Sequence, residues 1–431
     1  MKYLLLLLGA AAAFAPAASA QNMFRGNPAH TGVYDTDGPR QLKGVKWSFK
    51  TGSPVLSSPT VVGGVAYVGS DDMILHAVDV ATGKERWQYK TGGIVRSTPA
   101  VTGGMVYFGS YDGVFYALDA ASGLLKWKFA TPGERKFEAK GLHGYLPRTQ
   151  TIPDFWDLYL SSPAVVDGVV YFGSGDGSCY ALDAVTGNLK WRFETKGVVH
   201  SSPALAGGLV YFGSWDTFLY AVDAKTGQER WKFKTGEDPV NYNQTGLQSS
   251  PAVVDGVVYF GCRDSNFYAV DAATGQERWK YKITWVNASA AVRDGTVYFG
   301  TSIPAFFIAL DAGTGKERYK FDAHTPVFSS PALSGGLAYF GSFNGSLYAV
   351  DLKEGKLAWE FQTDSAKKNA PAYLKPDGSL NFATVFTSNQ FEDMYQAAAK
   401  LFSLGAILSS PVVDHGVIYV GSADGNLYAL E

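Results

Sequence analysis

Apolar positions along this chain come in short bursts separated by turn residues, never in long stretches after the first two dozen residues. The stretch Ser161–Gly173 reads SSPAVVDGVVYFG, in which two brief apolar runs flank an Asp-Gly pair. Asp-Gly in that setting is a strong hairpin signal, because both turn residues must take positive φ. Ser162–Val166 is therefore predicted as a strand, with Pro163 near its start, where a missing N–H is tolerated. Val169–Gly173 returns, Ser174–Gly177 turns, and Cys179–Asp183 makes a third strand. Thr186-Gly187 then turns into a fourth, Leu189–Glu194.

The same thirteen letters recur at Ser249–Gly261. The phrase begins again at Ser57, Ser97, Ser161, Ser201, Ser249, Ser329 and Ser409, with a degraded copy at Ser289. Four of the seven intervals between these starts are 40 residues, and the others are 48, 64 and 80. Four antiparallel strands in a repeat of this length are the unit of a β-propeller blade. The last unit stops at Glu431 one strand short, and Val45–Gly52 (VKWSFKTG) matches the fourth strand at Glu229–Gly236 (ERWKFKTG). Seven whole blades and one completed by the N-terminal strand predict an all-β, eight-bladed propeller forming one domain over residues 21–431. A closed ring leaves no long open sheet edge.

The three long intervals hold insertions at 134–160, 237–248 and 365–408, each between a fourth strand and the next blade. Such loops share a face of the disc with the loops between strands two and three. The insertions are thus expected to crowd one face, either as tolerated surface additions or as a binding surface. Within the third, Asn389-Gln390-Phe391-Glu392 resembles a capping box. Phe391, Met394, Tyr395, Ala398, Leu401 and Phe402 follow at helical spacing, ending at Gly405. That helix must bury its stripe against the disc or against a partner.

The phrase Ala-x-Asp-x-x-Thr-Gly-x-x-x-Trp appears in full at Ala181–Trp191, Ala221–Trp231 and Ala269–Trp279. It resembles the tryptophan-docking motif of the pyrroloquinoline-quinone-like (PQQ-like) repeat propellers. That group includes the quinoprotein alcohol dehydrogenases and the outer-membrane assembly lipoprotein BamB, so the resemblance implies the fold and leaves enzyme and scaffold both open. The repeated residues themselves are frame, since eight equivalent positions cannot all be one site. Trp47, Trp87, Trp127, Trp191, Trp231, Trp279 and Trp359, with Tyr319 in blade six, are expected to pack on a neighbouring blade's Gly turn. The aspartates of the same phrase are expected to accept turn N–H bonds.

The formal charge of −2 offers no electrostatic handle for nucleic acid or an anionic membrane. Lys2, the apolar run Leu4–Phe14 and Ala18-Ser19-Ala20 read as a signal peptide cut near Ala20, which implies a periplasmic or secreted product. The run is too short to span a bilayer, and no cysteine follows it to carry lipid. Cys179 and Cys262 stand at frame positions in different blades, and a disulfide between them is not expected.

Function is sought where the blades differ. Arg96, Tyr111, His143, His200, Trp215, Asn243, Gln244, Gln248, Arg263, Asp264 and Trp285 fall in the variable loops of the insertion face or beside the axis. Aromatic walls with a few polar groups read as a ligand pocket or partner patch, against a plain lining of polar surface. No catalytic residue or metal ligand is assigned, for the sequence has no Cys-x-x-Cys-His, Gly-rich phosphate loop, His-Glu-x-x-His or nucleophile elbow. The quinoprotein resemblance implies PQQ and calcium under a vicinal Cys-Cys disulfide, and no Cys-Cys pair exists. Asp264 and Asn243 are the stand-ins for base and calcium ligand. The expectation is a monomeric, cofactor-free binding or scaffold protein of BamB type, taking a periplasmic or outer-membrane protein, or a small ligand in the axial funnel. The alternative is a PQQ-dependent alcohol or sugar dehydrogenase, or a PQQ- or sugar-binding protein.

Overall fold

The Asp-Gly turns form as expected, with φ of 49° and 73° at Asp167 and Gly168 and 50° and 73° at Asp255 and Gly256. A computed structural model describes residues 22–237 and 246–431. In blade three, strand Ala164–Val166 pairs with Val169–Gly173, which pairs with Ser178–Asp183 and then with Leu189–Glu194. The first strand starts later than predicted because Ser162 leaves the ladder: its amide donates 2.9 Å to Ser202 Oγ in the next blade. Eight such four-stranded antiparallel sheets are present. In the eighth, Val45–Lys50 pairs with Asn426–Leu430 and closes the ring. The expected signal peptide, Asn243 and Gln244 lie outside the described residues.

Blades are joined by the repeated aromatic. Trp231 Nε1 donates 3.0 Å to Ala272 O of the next blade. Its ring covers Gly275, where a Cβ would stand 2.7 Å from the indole and φ is +74°. Only glycine fits there. Trp87, Trp127, Trp191 and Trp279 repeat the contact, Tyr319 reaches Leu352 O with its hydroxyl, and Trp359 docks on Pro39 O of the N-terminal segment. The aspartates act as predicted: Asp223 accepts from the Lys225 and Thr226 amides and pairs with Arg230 at 2.7 Å.

At the axis the two serines of the phrase stitch blade to blade. The second serine forms a chain in which the Ser162 amide donates to Ser202 Oγ, the Ser202 amide to Ser250 Oγ, and so on through Ser289, Ser330 and Ser410 to Ser58. The first serine sends its hydroxyl to the next blade's carbonyl, as Ser161 does to Ser201 O at 3.1 Å. The verbatim repeat thus encodes a hairpin and its axial fastening together.

Residues 22–39 close the underside. Pro28 O, Ala29 O, Thr31 O and Gly32 O accept the amides of Leu205, Val253, Val292 and Leu333, the middle residues of four successive inner strands. Arg25 is buried and donates to Ala290 O and Pro331 O.

The third insertion holds helices α1 (Asp364–Tyr373), α2 (Phe382–Val385) and α3 (Phe391–Ser403). The predicted stripe of α3 faces inward, with Met394, Ala398 and Leu401 buried, while Tyr395 is 45% exposed. The predicted capping box does not form. Gln390 occupies the N-cap without a side-chain bond, and Ser388 caps from outside, accepting from the Gln390 amide and donating to Asp393. Neither α1 nor α2 was legible, as Pro371 and a short span break their periodicity. No helix among the described residues is long and apolar enough to cross a membrane. Cys179 and Cys262 are buried and free.

Trp231→Ala removes one docking indole and its bond, and is expected to destabilise the propeller by about 2–3 kcal/mol, toward the low end for a half-buried tryptophan. Urea denaturation followed by tryptophan fluorescence measures it. A loss below about half a kcal/mol would mean that blade contact does not depend on the indole.

Candidate functional site

The first insertion, 134–160, is a strap that crosses the mouth of the axis on the loop face. Its outer part is a two-stranded sheet, Glu138–Lys140 with Thr151–Pro153. Its inner part, Asp154–Leu160, lies across the disc. Tyr159 reaches blades seven and eight, where its hydroxyl stands 3.2 Å from both Phe328 O and Leu408 O. Trp156 lies edge-on to Phe328 and Phe343, with ring centres 6.4 and 6.0 Å away. The third insertion sits over the strap: the Leu146 amide donates to Asn389 O, and Met394 of α3 packs with Leu142, Tyr145 and Ile152.

Two fully buried ion pairs anchor the strap. Arg263 donates through Nη1 to Asp154 and through Nη2 to Trp156 O and Gln248 Oε1, both at 2.9 Å. Its guanidinium lies 4.4 Å from the ring centre of Trp215 and 5.1 Å from that of Trp285, a cation between two indoles. Phe137 of the strap stacks on the same Trp215 at 4.4 Å. His200 stands between two carboxylates, donating 2.7 Å to Asp157 and 2.8 Å to Glu134. His143, itself in the strap, bonds Asp154 at 3.0 Å. Arg96 makes a bidentate pair with Asp71 and sends Nη1 to Leu158 O at 3.1 Å.

Burial alone would discharge these groups, and their partners reverse that. Burial disfavours the Asp154 carboxylate, but Arg263 and His143 outweigh it and hold its pKa well below the usual range. Burial likewise opposes a charged His200, yet Asp157 and Glu134 raise its pKa to about 10. His200 is therefore an imidazolium at neutral pH.

Seven of the predicted residues surround this strap: Arg96, Tyr111, His200, Trp215, Gln248, Arg263 and Trp285. His143 belongs to the strap itself. Asp264 is placed apart from them in function. It accepts from the Gly236 and Asn266 amides and from the Tyr268 hydroxyl, the same turn-fastening role that Asp216 plays one blade earlier with the Lys196 and Phe218 amides and the Tyr220 hydroxyl. The residues that sequence reasoning missed are the strap's carboxylates, Glu134, Asp154 and Asp157. Their signal was available as Asp154-x-x-Asp157 in an insertion facing positions that carry Arg and His. Beneath the strap the axis narrows to a cavity of about 30 Å³, ringed by the second serines and closed from below by Phe24. That is room for on the order of two waters.

The arrangement neutralises charge and crosslinks the strap to blades two, four and five. Because His200 has a raised pKa in the folded state, its contribution to stability is complete below pH 6.5 and is lost as the pH rises toward 10. Wild type and His200→Gln are expected to differ most in urea midpoint at pH 6 and to converge by pH 10. A difference that does not shrink over that window would place the pairing energy elsewhere.

The profile of the family described as outer membrane protein assembly factor BamB matches residues 40–141, 154–287 and 284–391, together more than half of the chain. No curated protein matches the chain. Among solved structures, BamB from Moraxella catarrhalis is similar with a TM-score of 0.66 and 16% identity, over 91% of this chain and 100% of that one. A europium-containing methanol dehydrogenase has a TM-score of 0.68 and 18% identity, over 95% of this chain and 98% of that one. The quinohemoprotein alcohol dehydrogenase from Comamonas testosteroni has a TM-score of 0.69 and 16% identity, over 96% of this chain and 81% of that one. At these identities the likeness is one of fold.

Proposed function

Since the chain belongs to the outer membrane protein assembly factor BamB family, we propose that it is a non-catalytic propeller of the bacterial envelope that binds a protein partner on its loop face. The observation that carries this reading is the strap. The space on the axis where a propeller can hold a small ligand is occupied by the chain's own Asp154–Leu160, and the cavity beneath amounts to about 30 Å³.

The residues of the mouth do not suit a planar quinone with a divalent cation. Among the described residues, the carboxylates of the mouth are already held by a guanidinium or an imidazolium: Asp154 by Arg263, Asp71 by Arg96, and Asp157 and Glu134 by His200. Asp264, the stand-in for a catalytic base, is committed to its turn. The outer surface of the loop face favours a protein instead. Phe382 and Tyr395 are 47% and 45% exposed there, and Phe391 and Phe155 flank Tyr395 with ring centres at 5.0 and 5.5 Å. Exposed aromatics on a rigid platform are typical anchors of protein interfaces. The reading includes export by the N-terminal segment, cleavage near Ala20 and a monomeric chain. The competing reading, a quinone-dependent dehydrogenase, draws on the two dehydrogenase folds above.

Two measurements decide between them. In-cell crosslinking followed by purification is expected to recover one envelope protein with wild type, and at least about ten-fold less of it with Phe382→Glu/Tyr395→Glu. Equal recovery would remove the helical insertion from the interface. Titration with pyrroloquinoline quinone and calcium is expected to give no absorbance change, no binding heat and no dye reduction with alcohols. Turnover would overturn the scaffold reading.

A further inference from the structure

The disc and the strap divide their polar groups by kind. Among the described residues, and apart from Asp71, which is spent on Arg96, the charged groups that the disc turns toward the mouth are cations: Arg96, His200 and Arg263. The strap supplies the acceptors, namely the carboxylates of Glu134, Asp154 and Asp157 and the carbonyls of Trp156 and Leu158.

The match is incomplete, and the imbalance has one sign. Trp215 Nε1, Trp285 Nε1, Tyr111 Oη and Asn287 Nδ2 are enclosed and have no hydrogen-bond partner among the described residues. All four belong to the disc and border the same mouth, and all four can donate. Trp215 is only 3% exposed and Asn287 4%. Buried donors without acceptors are uncommon, and several gathered at one place call for a specific cause. A mouth lined with cations and surplus donors, with aromatic walls at Trp215, Phe328 and Phe343, suits an extended acidic segment with aromatic side chains.

We propose that the axial mouth is a recognition site for a short acidic–aromatic peptide segment of a protein partner, and that the strap's Asp154-Phe155-Trp156-Asp157 is a resident copy of that ligand. The first acid meets Arg263, the second meets His200, and the aromatic before it enters the Phe328–Phe343 wall. A tethered copy competes at high effective concentration, so the isolated chain is closed. A partner segment displaces it by bringing acceptors to the donors that the strap leaves free. This names the partner chemistry for the scaffold reading above and rests on it.

The probe is a fluorescein-labelled peptide of residues 150–160 (QTIPDFWDLYL) added in trans to the full chain and followed by fluorescence anisotropy. Weakening the resident copy with Asp154→Asn/Asp157→Asn is expected to tighten peptide binding by at least about ten-fold over wild type. Adding Arg263→Gln to that variant, or replacing both aspartates of the peptide by asparagine, should abolish the gain. The proposal is overturned if the neutralised variant, folded by near-UV circular dichroism, binds no tighter than wild type or binds the asparagine peptide equally well. Should that variant fail to fold, hydrogen exchange on wild type serves instead. Millimolar peptide should speed exchange across 137–157 while the blades stay unchanged, and an unaltered strap sinks the idea. Because these assays use purified protein, peptide binding without a crosslinked envelope partner would leave the site standing and remove the scaffold reading. Crosslinking without peptide binding would do the reverse.

Discussion

Blade-to-blade contact through an indole on a glycine turn is the constraint on which the rest of this molecule depends. Each sheet is twisted and has a free outer strand, so nothing within a blade fixes its angle to the next. The docked tryptophan supplies that angle, because its Nε1 must meet one carbonyl and its ring must cover one glycine. Repeated around the ring, the contact sets the width of the axis. Only at that width can a serine hydroxyl of one blade reach the amide of its neighbour. Tyr319 makes the same kind of contact with an oxygen in place of the indole nitrogen, donating 3.2 Å to Leu352 O of the next blade.

The frame was legible in the sequence because each part of it is local and repeated. The Asp-Gly turn needs two residues, the aspartate needs the amides just after it, and the tryptophan needs a glycine one blade away. Ring closure was legible for the same reason, through the likeness of Val45–Gly52 to other fourth strands. The site was only half legible. Arg263, His200, Trp215 and Trp285 stood out by differing from their equivalents in other blades. Glu134, Asp154 and Asp157 have no equivalents to differ from, and their partners are far away in sequence, so the one trace they left, the pair Asp154-x-x-Asp157, could not be matched to Arg263 and His200. Asp264 shows the opposite error. Its neighbours made it look functional, although the same position in blades one to four and blade eight is also aspartate. The capping box failed on a shift of one residue, which composition at a helix start cannot resolve.

The strap changes what the loop face is. Without it, the first and third insertions would be independent loops beside an open funnel. With it, the first insertion becomes the floor on which the third is laid, and the axial polar groups belong to the interior. The buried pairs at Arg263 and His200 confer little net stability compared with an apolar filling of the same volume. What they give is one position for the strap, since sliding it by a residue would leave a guanidinium or an imidazolium unpaired in a closed space.

The pairing of Val45–Lys50 with Asn426–Leu430 also sets an order of events. A chain emerging from its N-terminus delivers the last blade's outer strand first and the strand it needs last. Until Asn426–Leu430 has been made, that first strand has an unsatisfied edge and the ring stands open. Contacts between such distant parts of a chain form slowly, and open edges are the points at which partly made proteins associate. Folding therefore ends with a single late event that completes the final sheet, so whatever holds unfolded chains apart must cover the interval before it.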